Sequence, residues 1–399
     1  MPSHAVLAML LAALATLGPF AIDTYLPAFP SIAEKLQATP LEVQQTLSGY
    51  MFTFAFMTLW HGALADAFGR RNIVLGSLFL FAIASLGCAG AHSIEYLWVF
   101  RVLQGMSAGA GMVIGRAIIR DLYSGAPAAR LLSLVTMLFS IAPAIAPIIG
   151  GWIVKLLDWR SIFLFLFIFT SLLLFFCYKL LPETLPPEKR QPFNPSFLAR
   201  SYSQILRSAH FHCFAGMIAL MFGGLFLYIA AAPTFVTVHL GLGPEQFGWQ
   251  FVPQVAGLFL GSLLVNRLAG YLSLQNQILL GFCILGTAVA GNVLYHSFYP
   301  AALPWSVVPL FFYTFGMSLC MPAATLLTLD LFPHIRGIVA SCQSSLLTLV
   351  GAIVAATAAP ALSGSPLALS LGQGVLALAA FVLWRLGKRL PSPGSTGAD

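Results

Sequence analysis

The chain has 399 residues, of which 59% are hydrophobic and only 8% are charged, and its mean hydropathy is +0.90. A soluble globular domain carries roughly 25% charged residues. This chain has too little polar surface to face water, which excludes a soluble enzyme or a soluble binding domain. Its net charge of +7 comes from Lys and Arg residues in short turns between apolar blocks. We therefore expect no nucleic-acid partner and predict an all-helical integral membrane protein surrounded by the lipid bilayer.

Apolar stretches recur along the whole chain. A helix needs roughly 20 apolar residues to cross the hydrocarbon core of a bilayer. Twelve stretches meet this requirement, at residues 5–27, 43–65, 73–91, 95–118, 131–155, 160–181, 209–232, 246–267, 276–296, 303–328, 337–360 and 366–386. The first one resembles the apolar part of a secretory signal peptide, but it is too long and begins without Lys or Arg. We expect an uncleaved first span.

The basic residues outside the spans predict the orientation. With the N-terminus placed in the cytoplasm, fourteen of the 19 Lys and Arg residues fall on the cytoplasmic side and three on the outer side. Because Lys and Arg are enriched in cytoplasmic loops, this imbalance predicts that both termini are cytoplasmic. We expect a multi-pass protein of the bacterial inner (cytoplasmic) membrane.

The two halves of the sequence echo each other. Asp121-Leu122-Tyr123 follows the fourth span, and Asp330-Leu331-Phe332 follows the tenth. Two pseudo-symmetric halves of six helices, with a substrate site near the bilayer midplane, are typical of secondary transporters. The predicted organisation is a six-helix bundle, a cytoplasmic linker, a second six-helix bundle and a short cytoplasmic tail, at residues 1–181, 182–208, 209–390 and 391–399.

Two charged residues lie inside the predicted spans at matching depths. Asp23 is the one residue among the twelve Asp and Glu that is embedded in a span and not at or near a membrane face, and it lies about four residues before the outer end of the first span. Arg101 lies about six residues after the outer start of the fourth span, which also contains Arg116 close to its inner end. At a rise of 1.5 Å per residue, both are expected roughly 6–9 Å below the outer boundary, where they can pair.

A carboxylate at this depth is a candidate for the group that binds and releases a coupling proton. Burial favours the neutral form of Asp23, whereas the guanidinium of Arg101 favours the charged form. A group balanced between these influences can take up a proton from one face of the membrane and release it to the other. The alternatives are an interfacial Asp at a fraying helix end near Pro27 and Pro30, or a static structural ion pair.

The loop after the second span carries a specific motif. Residues 62–71 read GALADAFGRR, which resembles the GxxxDxxGRR loop signature of the major facilitator superfamily, although Ala67 stands where many relatives carry Arg. The resemblance implies a conformational latch without substrate contact. In it, Asp66 caps a helix of the other half and Arg70 pairs with Asp121. The residues of this expected latch are Gly62, Asp66, Gly69, Arg70 and Asp121.

Two further motifs resemble the same superfamily. Residues 101–109, RVLQGMSAG, are similar to its RxxQGxxxG motif, whose Arg is associated with proton coupling. The overlapping GxSxG pattern of serine hydrolases needs a strand-turn-helix context that a membrane span does not provide.

Residues 142–151, APAIAPIIGG, resemble the GxxxGPxxGG element of drug:proton antiporters, with Ala in place of two glycines. The antiporter residues that this element implies are Ala146, Pro147, Gly150 and Gly151.

The first span resembles one branch of the superfamily. Residues 23–30, DTYLPAFP, are similar to the D-x-Y-L-P-x-x-P sequence of drug:proton antiporters of the bicyclomycin/chloramphenicol-resistance (Bcr/CflA) type. The resemblance implies a twelve-helix monomer that expels small amphipathic drugs in exchange for protons by alternating access. Some relatives carry a second acid earlier in the first span. Residues 12–17 here are all uncharged, which argues against efflux of divalent cations.

Polar and aromatic side chains inside the spans are the candidates for the substrate cavity, because aromatic faces suit planar apolar ligands and cations. These candidates are Tyr25, Tyr50, Phe54, Gln104, Tyr228, Gln254, Asn292, Tyr313 and Gln343. The six Cys residues lie in apolar segments without metal-ligand spacing. We expect no metal and no cofactor, with protons as the coupling ion.

Two other functional readings stay open at this stage. A nutrient symporter or uniporter can use the same fold, although the antiporter element of the fifth span argues against it. A membrane enzyme or sensor would need a catalytic cluster or a soluble output domain. The sequence contains no HExxH motif, no phosphate-binding loop and no paired carboxylates at working spacing. We therefore expect that the protein is not an enzyme.

Overall fold

The structure, a computed structural model, describes residues 4–190, 193–268 and 271–390, so the predicted tail at 391–399 lies outside it. Within these ranges every regular element is helical, in agreement with the prediction. The α-helices are, in chain order, α1 (His4–Asp23), α2 (Phe29–Lys35), α3 (Pro40–Phe68), α4 (Arg70–Ala89), α5 (Ile94–Ala108), α6 (Ala110–Leu122), α7 (Gly125–Leu156), α8 (Arg160–Leu180), α9 (Pro195–Leu206), α10 (Ala209–Thr234), α11 (Gly248–Leu268), α12 (Leu274–Phe298), α13 (Val308–Asp330), α14 (Arg336–Ile353), α15 (Ala359–Leu362) and α16 (Pro366–Arg389).

The twelve predicted spans all correspond to helices. Across the described residues, eleven helical segments are long and apolar enough to cross a bilayer. The second predicted span forms α3, which is 29 residues long, but polar residues such as Thr58 and His61 lower its hydropathy. The all-helical membrane fold of twelve passes is therefore confirmed for the described part of the chain.

The first span differs from the continuous helix predicted over residues 5–27. α1 ends at Asp23, and the chain continues through a 3₁₀ turn at Leu26–Ala28 into the short helix α2. Pro27 favours the break, because a proline has no backbone N–H to donate inside a helix, whereas Pro30 lies in the first turn of α2, where a proline is tolerated. Asp23 is consequently the last residue of α1, yet it is only 4% exposed.

The segment expected to be a plain linker, residues 182–208, contains helix α9. The side chain of Asn194 caps this helix by accepting a hydrogen bond from the backbone N–H of Phe197 at 3.0 Å. Pro195 follows at the first helical position, where a missing N–H costs nothing. The helix was not anticipated because no apolar run of spanning length marks it.

The described residues group into two compact units. The first comprises the described parts of Met1–Phe193 together with Ala232–Val252, and the second comprises those of Asn194–Ala231 and Pro253–Asp399. Residues 232–252 thus group with the first unit, whereas our division placed them in the second bundle. The division into two six-helix bundles joined by a linker stays a prediction.

Glycines bring helix backbones of the first unit into close approach. A Cβ on Gly105 of α5 would collide with the carbonyl of Tyr50 on α3, and one on Gly111 of α6 with the carbonyl of Leu14 on α1. Gly150 of α7 faces the backbone of Thr24 in the same way. Small residues at such positions allow membrane helices to gain van der Waals contact. Gly105 thus sets the approach of α5 to α3, whereas Gly111 and Gly150 set the approach of α6 and α7 to α1 and the residue that follows it.

We predict that Gly150→Ala lowers the free energy of unfolding by about 1–3 kcal/mol, because the added methyl group overpacks the contact with Thr24. Gly76 on α4 is a matched control, since no atom lies within 4 Å of an added Cβ. Gly76→Ala should be neutral or stabilising by up to about 1 kcal/mol. Thermal unfolding in detergent measures both variants, and equal midpoints would contradict the close packing.

Candidate functional site

A guanidinium lies in the interior of the first unit. Arg101 on α5 is 0% exposed, and its Cζ lies 4.5 Å from the ring centroid of Tyr25 and 4.3 Å from that of Tyr50. The negative faces of aromatic rings attract a cation, by about 2 kcal/mol or more where water is excluded. The two tyrosines therefore supply part of the solvation that Arg101 loses on burial.

Hydrogen bonds hold one nitrogen of this guanidinium. Arg101 Nη1 donates to the carbonyl oxygen of Ala21 at 3.1 Å and to Gln104 Oε1 at 2.9 Å. Gln104 Nε2 in turn donates to Ser85 Oγ at 2.7 Å, and both side chains are fully buried. The network thus joins α1, α4 and α5.

The carboxyl group of Asp23 is buried near this network but does not pair with it. Arg101 Nε and Nη2 have no hydrogen-bond partner among the described residues, so the pair considered from the sequence is not formed in this structure. Tyr50 lies within electrostatic range of both Asp23 and Arg101. The contact that Arg101 does make with the last turn of α1 is the bond from Nη1 to the carbonyl of Ala21.

The tyrosines around Arg101 are anchored by their hydroxyl groups. Tyr25 shares a 2.7 Å hydrogen bond with Thr46 Oγ1, and the Tyr50 hydroxyl donates to the Gly18 carbonyl at 3.0 Å. Phe54 stacks on Tyr50 with 6.2 Å between ring centroids. Tyr25, Tyr50, Phe54 and Gln104 were cavity candidates. The structure places Tyr25, Tyr50 and Gln104 against the buried cation, and their contact with a substrate stays a prediction.

The remaining cavity candidates lie in the second unit and are at least nine-tenths buried, namely Tyr228, Gln254, Asn292, Tyr313 and Gln343. Asn292 Nδ2 donates to the Tyr228 hydroxyl at 2.8 Å, and the Tyr313 hydroxyl donates to the carbonyl of Met221 at 2.8 Å. Neither polar atom of the Gln254 amide has a partner among the described residues. These five side chains are uncharged, whereas the cluster of the first unit contains the guanidinium of Arg101.

The motif of residues 62–71 forms an ion cluster where α3 meets α4. Arg70 Nη1 pairs with Asp66, and Arg70 Nε lies 3.2 Å from Asp121 Oδ2. The Arg70 side chain is only 10% exposed, and its positive charge is bound by two negatively charged carboxylates. The expected pair of Arg70 with Asp121 is confirmed. The capping role of Asp66 stays a prediction.

Two glycines of this motif have different surroundings. Gly69 adopts φ +97°, a conformation that side-chain-bearing residues rarely tolerate. Gly62 on α3 has more room, since only Val113 Cγ1 approaches an added Cβ, at 3.8 Å. Gly69 is therefore required by the turn itself, whereas Gly62 contributes only a small packing surface.

The antiporter element of α7 lies beside the end of α1. Ala146 and Pro147 are buried, and Gly150 packs against Thr24, the residue after Asp23. Gly151 packs against the backbone of Pro244. α7 continues through Pro147 without interruption. The element thus determines how closely α7 approaches the chain segment that carries Asp23.

Several residues of the site gave no signal in the sequence. Ser85 and Thr46 bind the network, but Ser and Thr in helices usually bond to their own preceding carbonyl groups, and both do so here as well. The carbonyl of Ala21 could not be anticipated, because it is free only where α1 ends.

Twelve helical passes in the described residues, together with charges buried among them, are the features of a multi-pass membrane transport protein. The chain belongs to the Major Facilitator Superfamily, whose family model matches residues 9–356. Members of this superfamily bind small molecules within the membrane and are transporters. The protein is accordingly a transporter and not an enzyme.

Three relatives extend the comparison. The chain is 32% identical to an uncharacterized MFS-type transporter, YdgK, of Bacillus subtilis over 87% of each chain. It is 32% identical to a bicyclomycin resistance protein homolog of Haemophilus influenzae over 64% of each chain. It is 25% identical to multidrug resistance protein D of Escherichia coli over 88% of each chain. Two of these relatives are named for drug resistance.

We predict that the ring of Tyr50 stabilises the protein more than its hydroxyl does. Tyr50→Phe loses the bond to Gly18, worth about 1 kcal/mol. Tyr50→Leu also loses the aromatic face over Arg101, a further ~2 kcal/mol. Thermal unfolding midpoints in detergent should therefore fall in the order wild type, Phe, Leu. If the Leu variant unfolded at the same temperature as the Phe variant, the ring would not be solvating the cation.

Proposed function

We propose that this protein exports small amphipathic drugs across the bacterial inner membrane in exchange for protons, by alternating access. The observation that carries the proposal is a buried carboxyl group, Asp23, two residues after Ala21, whose carbonyl binds a buried guanidinium with two unused donors. The relatives named for bicyclomycin resistance and multidrug resistance support the drug as cargo. In this proposal the transporter works as a monomer with cytoplasmic termini, and protons replace any cofactor.

The unused donors of Arg101 have the geometry of a carboxylate receptor. Nε and Nη2 lie on one edge of the guanidinium, and two parallel N–H groups of this kind bind both oxygens of a carboxylate. Nη1 is held by Ala21 and Gln104 on the opposite side. The edge is thus available to Asp23 when that residue carries a negative charge.

The coupling step is a transfer of one proton to and from Asp23. Uptake from the outer side converts the carboxylate into a neutral carboxyl group and leaves Arg101 with the tyrosines, Ala21 and Gln104. Release to the cytoplasm restores the carboxylate, which then binds Nε–H and Nη2–H. Because an unpaired charge inside the membrane costs several kcal/mol, the charged form favours the conformation that closes this pair. The neutral form permits the other.

The ion cluster of Arg70 supports a second part of the mechanism. Arg70 binds Asp66 and Asp121 at once, so the end of α3, the start of α4 and the end of α6 are held together. A transporter must pass between conformations with different access, and an ion cluster that forms in one of them slows the passage. We assign this cluster the latch role, with no contact to the drug.

We predict that Asp23→Asn abolishes drug resistance in an efflux-deficient host while membrane expression is retained, because an amide cannot release a proton. Glu34→Gln is the matched control, since Glu34 is an exposed carboxylate on the neighbouring helix α2, and it should keep wild-type resistance. A drug-susceptibility panel measures both. Unchanged resistance in Asp23→Asn would reject Asp23 as the coupling group.

The same variants separate export from import in inside-out membrane vesicles. An acidic vesicle interior should drive accumulation of radiolabelled chloramphenicol by wild type and not by Asp23→Asn. A symporter on the same fold would instead lose the drug from vesicles under this gradient, which would contradict the exchange direction.

We predict that Arg101→Lys slows proton-driven transport by roughly tenfold, because Lys keeps the charge but cannot offer two parallel donors to one carboxylate. Arg116→Lys on α6 is the control, since Arg116 is exposed on the same span and should transport normally. Initial rates in the vesicle assay measure both. Full activity of Arg101→Lys would show that only the charge matters and not the two-donor edge.

A further inference from the structure

The carboxylate of Glu183 binds the turn from which Arg70 projects. Glu183 Oε1 accepts the backbone N–H of Arg70 at 3.0 Å, and Oε2 accepts that of Arg71 at 3.3 Å. These are the first two N–H groups of α4, which have no partner inside the helix. A negative charge at this end of a helix also interacts favourably with the helix dipole. Glu183 therefore caps α4 although it lies 113 residues further along the chain.

The turn is shaped to receive this carboxylate. Gly69 has φ +97°, and a Cβ at this position would collide with the Glu183 carboxylate and with the guanidinium of Arg190. Arg190 Nη2 lies 3.8 Å from Glu183 Oε2. The backbone N–H of Leu185 donates to Glu183 Oε1 at 3.0 Å. The segment after α8 is thereby fastened onto the turn between α3 and α4.

The same segment also contacts the latch directly. The hydroxyl of Thr184 donates to Asp121 Oδ2 at 2.9 Å, the oxygen that also pairs with Arg70 Nε. Arg71 Nη2 donates to the carbonyl of Tyr178 on α8 at 2.7 Å. Residues of α8 and of the chain that follows it therefore bind the backbone of the Arg70 turn, the side chain of Arg71 and the Asp121 carboxylate that pairs with Arg70.

We propose that Glu183 is a positioning residue of the latch. Its carboxylate fixes the Arg70 turn so that the Arg70 side chain reaches Asp66 and Asp121 together. The effect on transport rests on the proposed drug export, whereas the effect on the turn does not. Glu183 acts through Arg70, so removing it should alter the rate of conformational exchange and leave drug affinity unchanged.

The test compares Glu183→Gln with Glu188→Gln, a control at an exposed acid in the same segment. Hydrogen exchange by mass spectrometry on the purified protein should show faster exchange of the Arg70 and Arg71 amides in Glu183→Gln alone. In proteoliposomes, the turnover of radiolabelled chloramphenicol should change by about two- to fivefold, the size of a lost helix-terminal charge interaction. Its KM should remain as in wild type. Glu183→Asp should restore part of the protection.

A double-mutant cycle with Arg70→Gln identifies the route of the effect. If Glu183 acts through Arg70, adding Glu183→Gln to Arg70→Gln should cause no further change in turnover. Additive effects, a changed KM with normal turnover, or unchanged amide exchange would each overturn the proposal. If wild type carries no chloramphenicol, export of this drug fails while the exchange measurement still decides whether Glu183 holds the turn.

Discussion

The first unit is organised around the burial of one cation. A guanidinium inside a helical membrane bundle loses its hydration, and the loss costs several kcal/mol unless protein groups replace the water. Arg101 obtains two aromatic faces, a backbone carbonyl and an amide oxygen. Each of these depends on a further feature, since Gly18 anchors Tyr50, the end of α1 frees the Ala21 carbonyl, and Ser85 orients Gln104. Removing any one therefore weakens the solvation of the charge.

The solvation of Arg101 is incomplete, and the proposed proton-coupled switch makes use of this incompleteness. A fully bonded polar network has one stable arrangement, whereas a partly bonded one retains an alternative. The two donors without partners are the unfilled part, and the carboxyl group of Asp23 is the buried acid near them. Arg70 is the opposite case in the same unit, because two carboxylates already engage it. Arg101 thus has two donors without a partner among the described residues, whereas Arg70 is bound by two carboxylates.

The features that depend on hydrophobicity and motif spacing could be predicted from the sequence, whereas the local backbone geometry could not. Twelve apolar runs, the isolated charges Asp23 and Arg101, and the Arg70–Asp121 pair follow from hydrophobicity and from motif spacing. The break after Asp23 depends on where the chain turns through Pro27, and hydropathy does not register a turn inside an apolar run. Glu183 could not be found, because its partners are backbone N–H groups far away in the chain. Tyr25 and Tyr50 were recognised as important, but spacing alone could not show that their rings lie against Arg101.

The internal repeat duplicates the helices without duplicating the charges. The sequence offset that relates Asp121 to Asp330 assigns Arg101 to the position of Leu310 and Gln104 to that of Tyr313, both of which are buried. Among the described residues of the second unit, the buried polar side chains include amides, hydroxyls and His296 but no Asp, Glu, Lys or Arg. Tyr313 bonds to a backbone carbonyl, as Tyr50 does in the first unit. Among the described residues, tyrosine anchors and close helix contacts therefore occur in both units, whereas buried charged side chains occur in the first unit alone. The proposed proton-binding step accordingly involves side chains of the first unit.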